Sequence, residues 1–182
     1  MDTKEIIAQS FGILAMGIAL LSYQQKTQKK IVLFQSVSSF IFGVHFLLLP
    51  AITGSLLNFF GCFRAIIYSK RGQKWADHPA WLVLFILMPF ILYAMSFLFF
   101  GIEPTIGNFL RELLPTLGMV ATTISFRMKK AAQVRLFSLI SSPLWLVYNC
   151  APFTLGGVLT ESFSLLSILI GILRLDLKKN KE

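Results

Sequence analysis

AWLVLFILMPFILYAMSFLFF, residues 80–100, holds twenty-one positions without a charge, a glycine, an asparagine or a glutamine. Wound as a helix it measures about 31 Å, the thickness of a bilayer's hydrocarbon core. Its single proline, Pro89, is tolerated in a membrane helix because neighbouring helices can satisfy the freed carbonyl. No part of the chain alternates apolar and polar residues long enough for a barrel strand, so the fold class is an all-α membrane protein.

Working outward, three apolar segments precede this one, at about 6–23, 31–49 and 52–69. Three follow, at about 107–126, 134–151 and a last one ending near 175. Pro50, and Pro152 with Gly156 and Gly157, mark turns between them. The whole composition agrees: 14% of the residues are charged and 55% hydrophobic, with 18 phenylalanines, whereas a soluble domain carries about 25% charged residues. The N-terminus shows no small-residue cleavage site after its first apolar run, which predicts a retained anchor and not a removed signal peptide. Cys62 and Cys150 fall within or at the end of apolar segments and read as two lone buried thiols, with a disulfide between them as the alternative.

The net charge of +9 invites a nucleic-acid reading, but the basic residues stand in short clusters between apolar segments. That placement is a topology signal. Lys26, Lys29, Lys30, Arg64, Lys70, Arg71, Lys74, Arg127, Lys129, Lys130, Arg135, Arg174, Lys178, Lys179 and Lys181 all fall on one side, and only Lys4 and Arg111 on the other. Fifteen against two puts the N-terminus outside and the C-terminus in the cytoplasm, which requires an odd number of spans. Arg64 is expected to snorkel to the cytoplasmic headgroups and to take no part in transport. Arg111 and Glu112, consecutive on a helix, diverge by about 100° and need not pair.

Shifted by 103 residues without a gap, the first three segments fall on the last three. SYQQK at 22–26 meets SFRMK at 125–129, and LFQSVSSFIFGVH from Leu33 meets LFSLISSPLWLVY from Leu136. Fourteen of the aligned positions between Leu14 and Arg71 are identical, where this composition gives about five by chance. Three spans reverse the chain across the membrane, and one further span restores its direction. The reading is therefore seven transmembrane helices, two parallel three-helix repeats joined by a central linker helix. The divisions are 1–72, first repeat; 73–106, linker with the central helix; and 107–182, second repeat and cytoplasmic tail.

The Ser-Tyr-Gln-Gln ending of the first segment with its basic loop, LFQSVSSFIFGVHFLLL and TGSLLNFFGCFRAIIYSKR resemble the SWEET and PQ-loop superfamily. They are most similar to the YgjV-type bacterial inner-membrane proteins. The resemblance runs through the repeat over essentially the whole chain, though the superfamily's Pro-Gln pair is absent and only Pro143 stands where a hinge proline would. It implies a location in the bacterial inner membrane and transport of a small polar solute, sugars included, by rocking one repeat against the other.

Asn58 and Glu161 occupy the same position in the two repeats, about two turns into their segments. Facing lipid, such a side chain costs on the order of 3 kcal/mol, so both are expected to face the bundle interior. The resemblance implies solute contact at these positions, matched by Asn58 and departed from by Glu161, whose carboxylate suits a cation, a proton or an amine. Interhelical hydrogen bonding is the structural alternative. His45 falls opposite Tyr148, beside Asn149, towards the outer ends of their helices, where they can line a vestibule; a single membrane histidine is more often a packing residue than a proton switch. Trp145, opposite Phe42, offers an apolar surface for a sugar ring, with core packing as its alternative. Ser38 and Ser39, with Ser141 and Ser142, fit close helix approach.

No GxSxG elbow, HExxH helix, Walker loop or CxxC pair occurs, and His45 and His78 give no metal-ligand spacing, so neither an enzyme nor a cofactor is expected. The partners implied are the lipid bilayer and a small polar solute, with nucleic acid excluded and a homo-oligomer allowed. The alternative function is a non-transporting membrane scaffold or assembly partner.

Overall fold

A computed structural model describes residues 3–49, 51–150 and 155–177. The turns expected at Pro50 and Pro152 and the basic tail Lys178, Lys179 and Lys181 lie outside the described residues. Among the described residues seven helices follow one another: α1 (Thr3–Tyr23), α2 (Gln28–Leu48), α3 (Ile52–Ser69), α4 (Pro79–Phe99), α5 (Ile106–Arg127), α6 (Ala131–Cys150) and α7 (Leu155–Gly171). A π-helical segment, Ile172–Leu177, continues α7.

Local chemistry sets the ends of these helices. Thr27 and Thr105 cap α2 and α5 by accepting from the amides of Lys30 and Asn108 at 3.4 and 3.2 Å. His78 does the same for α4, accepting from Ala80, and Pro79 follows in the first-turn position that costs no hydrogen bond. Gly101, at φ 72°, takes the left-handed conformation that ends α4 and that a side chain would resist.

Among the described residues, four helices are long and apolar enough to cross a membrane: α1, α2, α4 and the stretch Gly156–Leu177. The sequence pattern predicts seven, and the difference has a physical source. Helices α3, α5 and α6 carry Asn58 and Arg64, Arg111 and Glu112, and Arg135 with three serines, which lower their apolarity.

Helix α2 packs between α1 and α3, and α6 between α5 and α7. Two seams, α1 against α7 and α3 against α5, join the groups, and α2 also touches α6. Helix α4 packs on α3 and α5 from outside. Its buried residues, Phe85, Pro89, Leu92 and Ser96, form one stripe at helical spacing, and Ser96 shares a 2.9 Å hydrogen bond with Thr53 of α3. On the rest of α4, Val83, Leu84, Leu87, Phe90, Ile91, Leu98 and Phe99 are exposed apolar residues, a surface suited to lipid.

Candidate functional site

Helices α1–α3 and α5–α7 enclose a cavity of about 90 Å³, room for several waters. Twenty-one residues line it and none comes from α4. Sixteen of them form eight pairs whose members are 103 residues apart. The pairs are Ala19 with Thr122, Tyr23 with Phe126, Gln35 with Ser138, Ser38 with Ser141, Ser39 with Ser142, Phe42 with Trp145, Phe46 with Asn149, and Asn58 with Glu161.

The correspondence extends to bonds. Ser38 Oγ donates to the Ala15 carbonyl at 2.8 Å, and Ser141 Oγ donates to the Gly118 carbonyl at 2.9 Å. Ala15 and Gly118 are themselves 103 residues apart, and each seats an aromatic ring of the wall. Phe42 clusters with Ala15, while Trp145 lies so close to Gly118 that an added Cβ would come within 2.8 Å of its indole. The larger ring has the smaller seat, which keeps the helix spacing alike in a tightly packed interior.

Glu161 is half-buried and has the Ser142 hydroxyl as a hydrogen-bond partner. The Tyr23 hydroxyl lies among Gln35, Ser138 and Ser142, near enough to Glu161 to sense its charge. Asn58 Nδ2 donates to the Gly54 carbonyl of its own helix at 2.8 Å. Arg64 is 2% exposed and lines the same cavity. Its Nη1 donates to the Met119 carbonyl and the Thr123 hydroxyl of α5, at 2.7 and 2.8 Å, and its guanidinium lies 5.0 Å from the centre of the Phe126 ring. Its Nε has no hydrogen-bond partner, and no carboxylate pairs with it among the described residues.

A transmembrane fold with a polar interior narrows the class, and sequence comparison narrows it further. Residues 6–179 match Imp-YgjV, a family described as bacterial inner membrane protein. The chain belongs to that family. The Imp-YgjV chain described here is 26% identical over 171 residues to Inner membrane protein YgjV of Escherichia coli (strain K12), covering 92% of this chain and 84% of the relative. No solved structure matches it. An Imp-YgjV protein is therefore an integral protein of the bacterial inner membrane.

Within this Imp-YgjV chain the expected site residues divide. Asn58, Glu161, Trp145 and Asn149 line the cavity; His45 and Tyr148 do not. His45 is fully buried among α1, α2 and α7, with Nδ1 2.7 Å from the Ala8 carbonyl and its ring against Gly12. Tyr148 is buried beside Glu112 and Arg111. The position opposite Tyr148 in the sequence is a packing site because Gly12 leaves just enough room for an imidazole.

Expectations for Arg64 and for the two cysteines are corrected, and Arg135 and Arg111 are placed more closely. Arg64 does not snorkel: its side chain turns inward to α5, where two oxygens accept from it. Arg135, counted with the cytoplasmic charges, is 1% exposed and is spent inside the protein. Its guanidinium pairs with Asp176 through two nitrogens, and Nη1 also donates to the carbonyls of Tyr23 and Gln25. Arg111 Nε does pair with Glu112 at 2.9 Å, because a long arginine can fold back across the 100° between neighbours. Both cysteines are free, but Cys62 is half-buried and Cys150 exposed.

Sequence reasoning missed Arg64, Tyr23 and Gln35 as wall residues. Tyr23 and Gln35 had a signal, since each is paired at 103 residues with another wall residue. Arg64 had a different one: its counterpart is Ser167, so it breaks the pairing with a charge more than a turn inside its helix.

Proposed function

We propose that this Imp-YgjV protein is a transporter-like bundle that moves a small polar solute across the inner membrane by alternating access. The solute occupies the cavity between two parallel three-helix copies, α1–α3 and α5–α7, with α4 as the linker that restores chain direction. All seven helices cross the membrane, with the N-terminus periplasmic and the C-terminus cytoplasmic in keeping with the fifteen-to-two distribution of basic residues. No catalytic step is involved. The observation that carries the reading is the wall itself. Polar side chains that would be costly against lipid converge on one cavity, and eight of its residue pairs repeat at a single interval.

A non-transporting scaffold is the second reading, favoured by Asn58, whose amide is committed to its own helix. A thermal-stabilisation panel of sugars, amino acids and cations on the purified chain separates the two. Transport predicts that at least one solute raises the unfolding midpoint, and that Glu161→Gln or Asn58→Ala removes the rise while the ligand-free midpoint stays near that of the parent. If no solute acts and both variants simply unfold, the polar residues are structural and the scaffold reading stands.

A further inference from the structure

Arg64 and Glu161, a basic and an acidic side chain, line one cavity and do not pair with each other. Glu161 has no cationic partner and Arg64 no carboxylate among the described residues. Every hydrogen bond of the Arg64 guanidinium leaves from Nη1, so its other edge is uncommitted. An unpaired charge inside a membrane protein is expensive and is retained where a ligand, an ion pathway or a partner uses it.

Their placement says what would use both. Arg64 is tied to α5 across the α3–α5 seam, whereas Glu161 on α7 is held by Ser142 of α6 and stands near Tyr23 of α1, at the α1–α7 side. With no ion pair between them and anchors at different seams, the two groups are met together only by a solute that spans the cavity. The rings of Phe42 and Trp145 line the same cavity, an apolar face suited to a methylene chain.

We propose that the cavity recognises an elongated zwitterion, a solute whose anionic group lies several bonds from its ammonium, with Arg64 taking the anion and Glu161 the ammonium. This rests on the solute-carrying reading above and names the class of solute. The guanidinium edge offers paired donors to a carboxylate, the Glu161 carboxylate accepts from an ammonium, and the chain between lies on the two rings.

The test uses the purified full chain in lipid nanodiscs, with γ-aminobutyrate and ε-aminocaproate as probes and glycine, butyrate, butylamine and xylitol as comparisons. At least one of the longer aminocarboxylates should bind about tenfold or more tightly than glycine, and γ-aminobutyrate should exceed butyrate and butylamine by a similar factor, the loss expected for one charge-assisted contact. In Glu161→Gln the preference for γ-aminobutyrate over butyrate should vanish; in Arg64→Gln, the preference over butylamine. Each is a ratio within one variant, so a general loss of stability does not imitate it, and the parent's own ranking decides if a variant fails to fold. Glycine binding as well as the longer probes would overturn the spacing. Xylitol or another neutral solute binding while no aminocarboxylate does would overturn the zwitterion and leave the transport reading standing. If nothing in either panel binds, both fall together.

Discussion

Two arginines lie equally hidden in the bundle, Arg64 at 2% exposure and Arg135 at 1%, and their surroundings differ in kind. Arg135 is neutralised. Asp176 takes two of its nitrogens, the carbonyls that close α1 take the third, and the π-helical segment bearing Asp176 packs on α6. The result is a clamp that ties α6, α7 and the end of α1 together. Arg64 meets two oxygens, a sulfur and an aromatic face, all uncharged. Burial alone therefore says little about what a charge does; the partner decides. A compensated guanidinium holds helices, and an uncompensated one is available to a ligand.

The largest effect should come from breaking the compensated site. Arg135→Met leaves Asp176 without its partner and strips two carbonyls, so unfolding of the purified protein should become easier by about 3–5 kcal/mol. Parent-like stability would mean that the clamp is not formed. Gly171→Ala attacks the same place by shape. A Cβ there would sit 2.8 Å from the Tyr23 carbonyl and 2.9 Å from Arg135 Cδ, and the backbone oxygen cannot easily yield. A loss of about 1–3 kcal/mol is expected, with Gly171→Val worse than Gly171→Ala. Arg64→Met should behave in the opposite way. It removes a charge that has no counter-ion, so stability should change by less than about 1 kcal/mol, or rise, while solute binding is lost. An Arg64→Met loss equal to that of Arg135→Met would erase the distinction between the two.

The same contrast explains what could be read in the chain beforehand. Helix number and order followed from apolar runs, because a bilayer imposes length and hydrophobicity on each segment independently of its neighbours. The Asn58 and Glu161 positions were legible from the 103-residue correspondence, which needs no knowledge of packing. Arg64 was misassigned, and the burial of Arg135 left unread, for a different reason. Near a helix end, an arginine that snorkels and one that turns inward have the same local sequence, and only Asp176, some forty residues away, or the oxygens of α5 distinguish them. His45 was placed by its counterpart Tyr148, yet the space beneath it is fixed by Gly12 on another helix. Contacts between distant segments decide such cases, and periodicity is silent about them.

A third arginine supplies the solvent-side member of the comparison and the smallest expected effect. Arg71, in the loop between α3 and α4, donates to Asp77 at 2.8 Å, and the Gly72 amide donates to the other carboxylate oxygen at 2.9 Å. The positive φ of Gly72, 96°, allows that tight loop. Arg71 and the Gly72 amide together hold the Asp77 carboxyl below its ordinary range. A carboxyl whose folded value is depressed stabilises the fold above its unfolded value, near 4, and the contribution disappears as pH falls through the folded value. The Asp77 side chain is 38% exposed, so water and salt screen the pair and its worth should stay under about 1 kcal/mol. Unfolding midpoints of the parent and Asp77→Asn should therefore differ slightly at pH 7 and converge towards pH 3, and added salt should narrow the gap at pH 7. A gap of several kcal/mol that ignored salt would show that an exposed arginine pair can match the buried clamp, and would remove desolvation as the reason Arg135 and Arg64 differ.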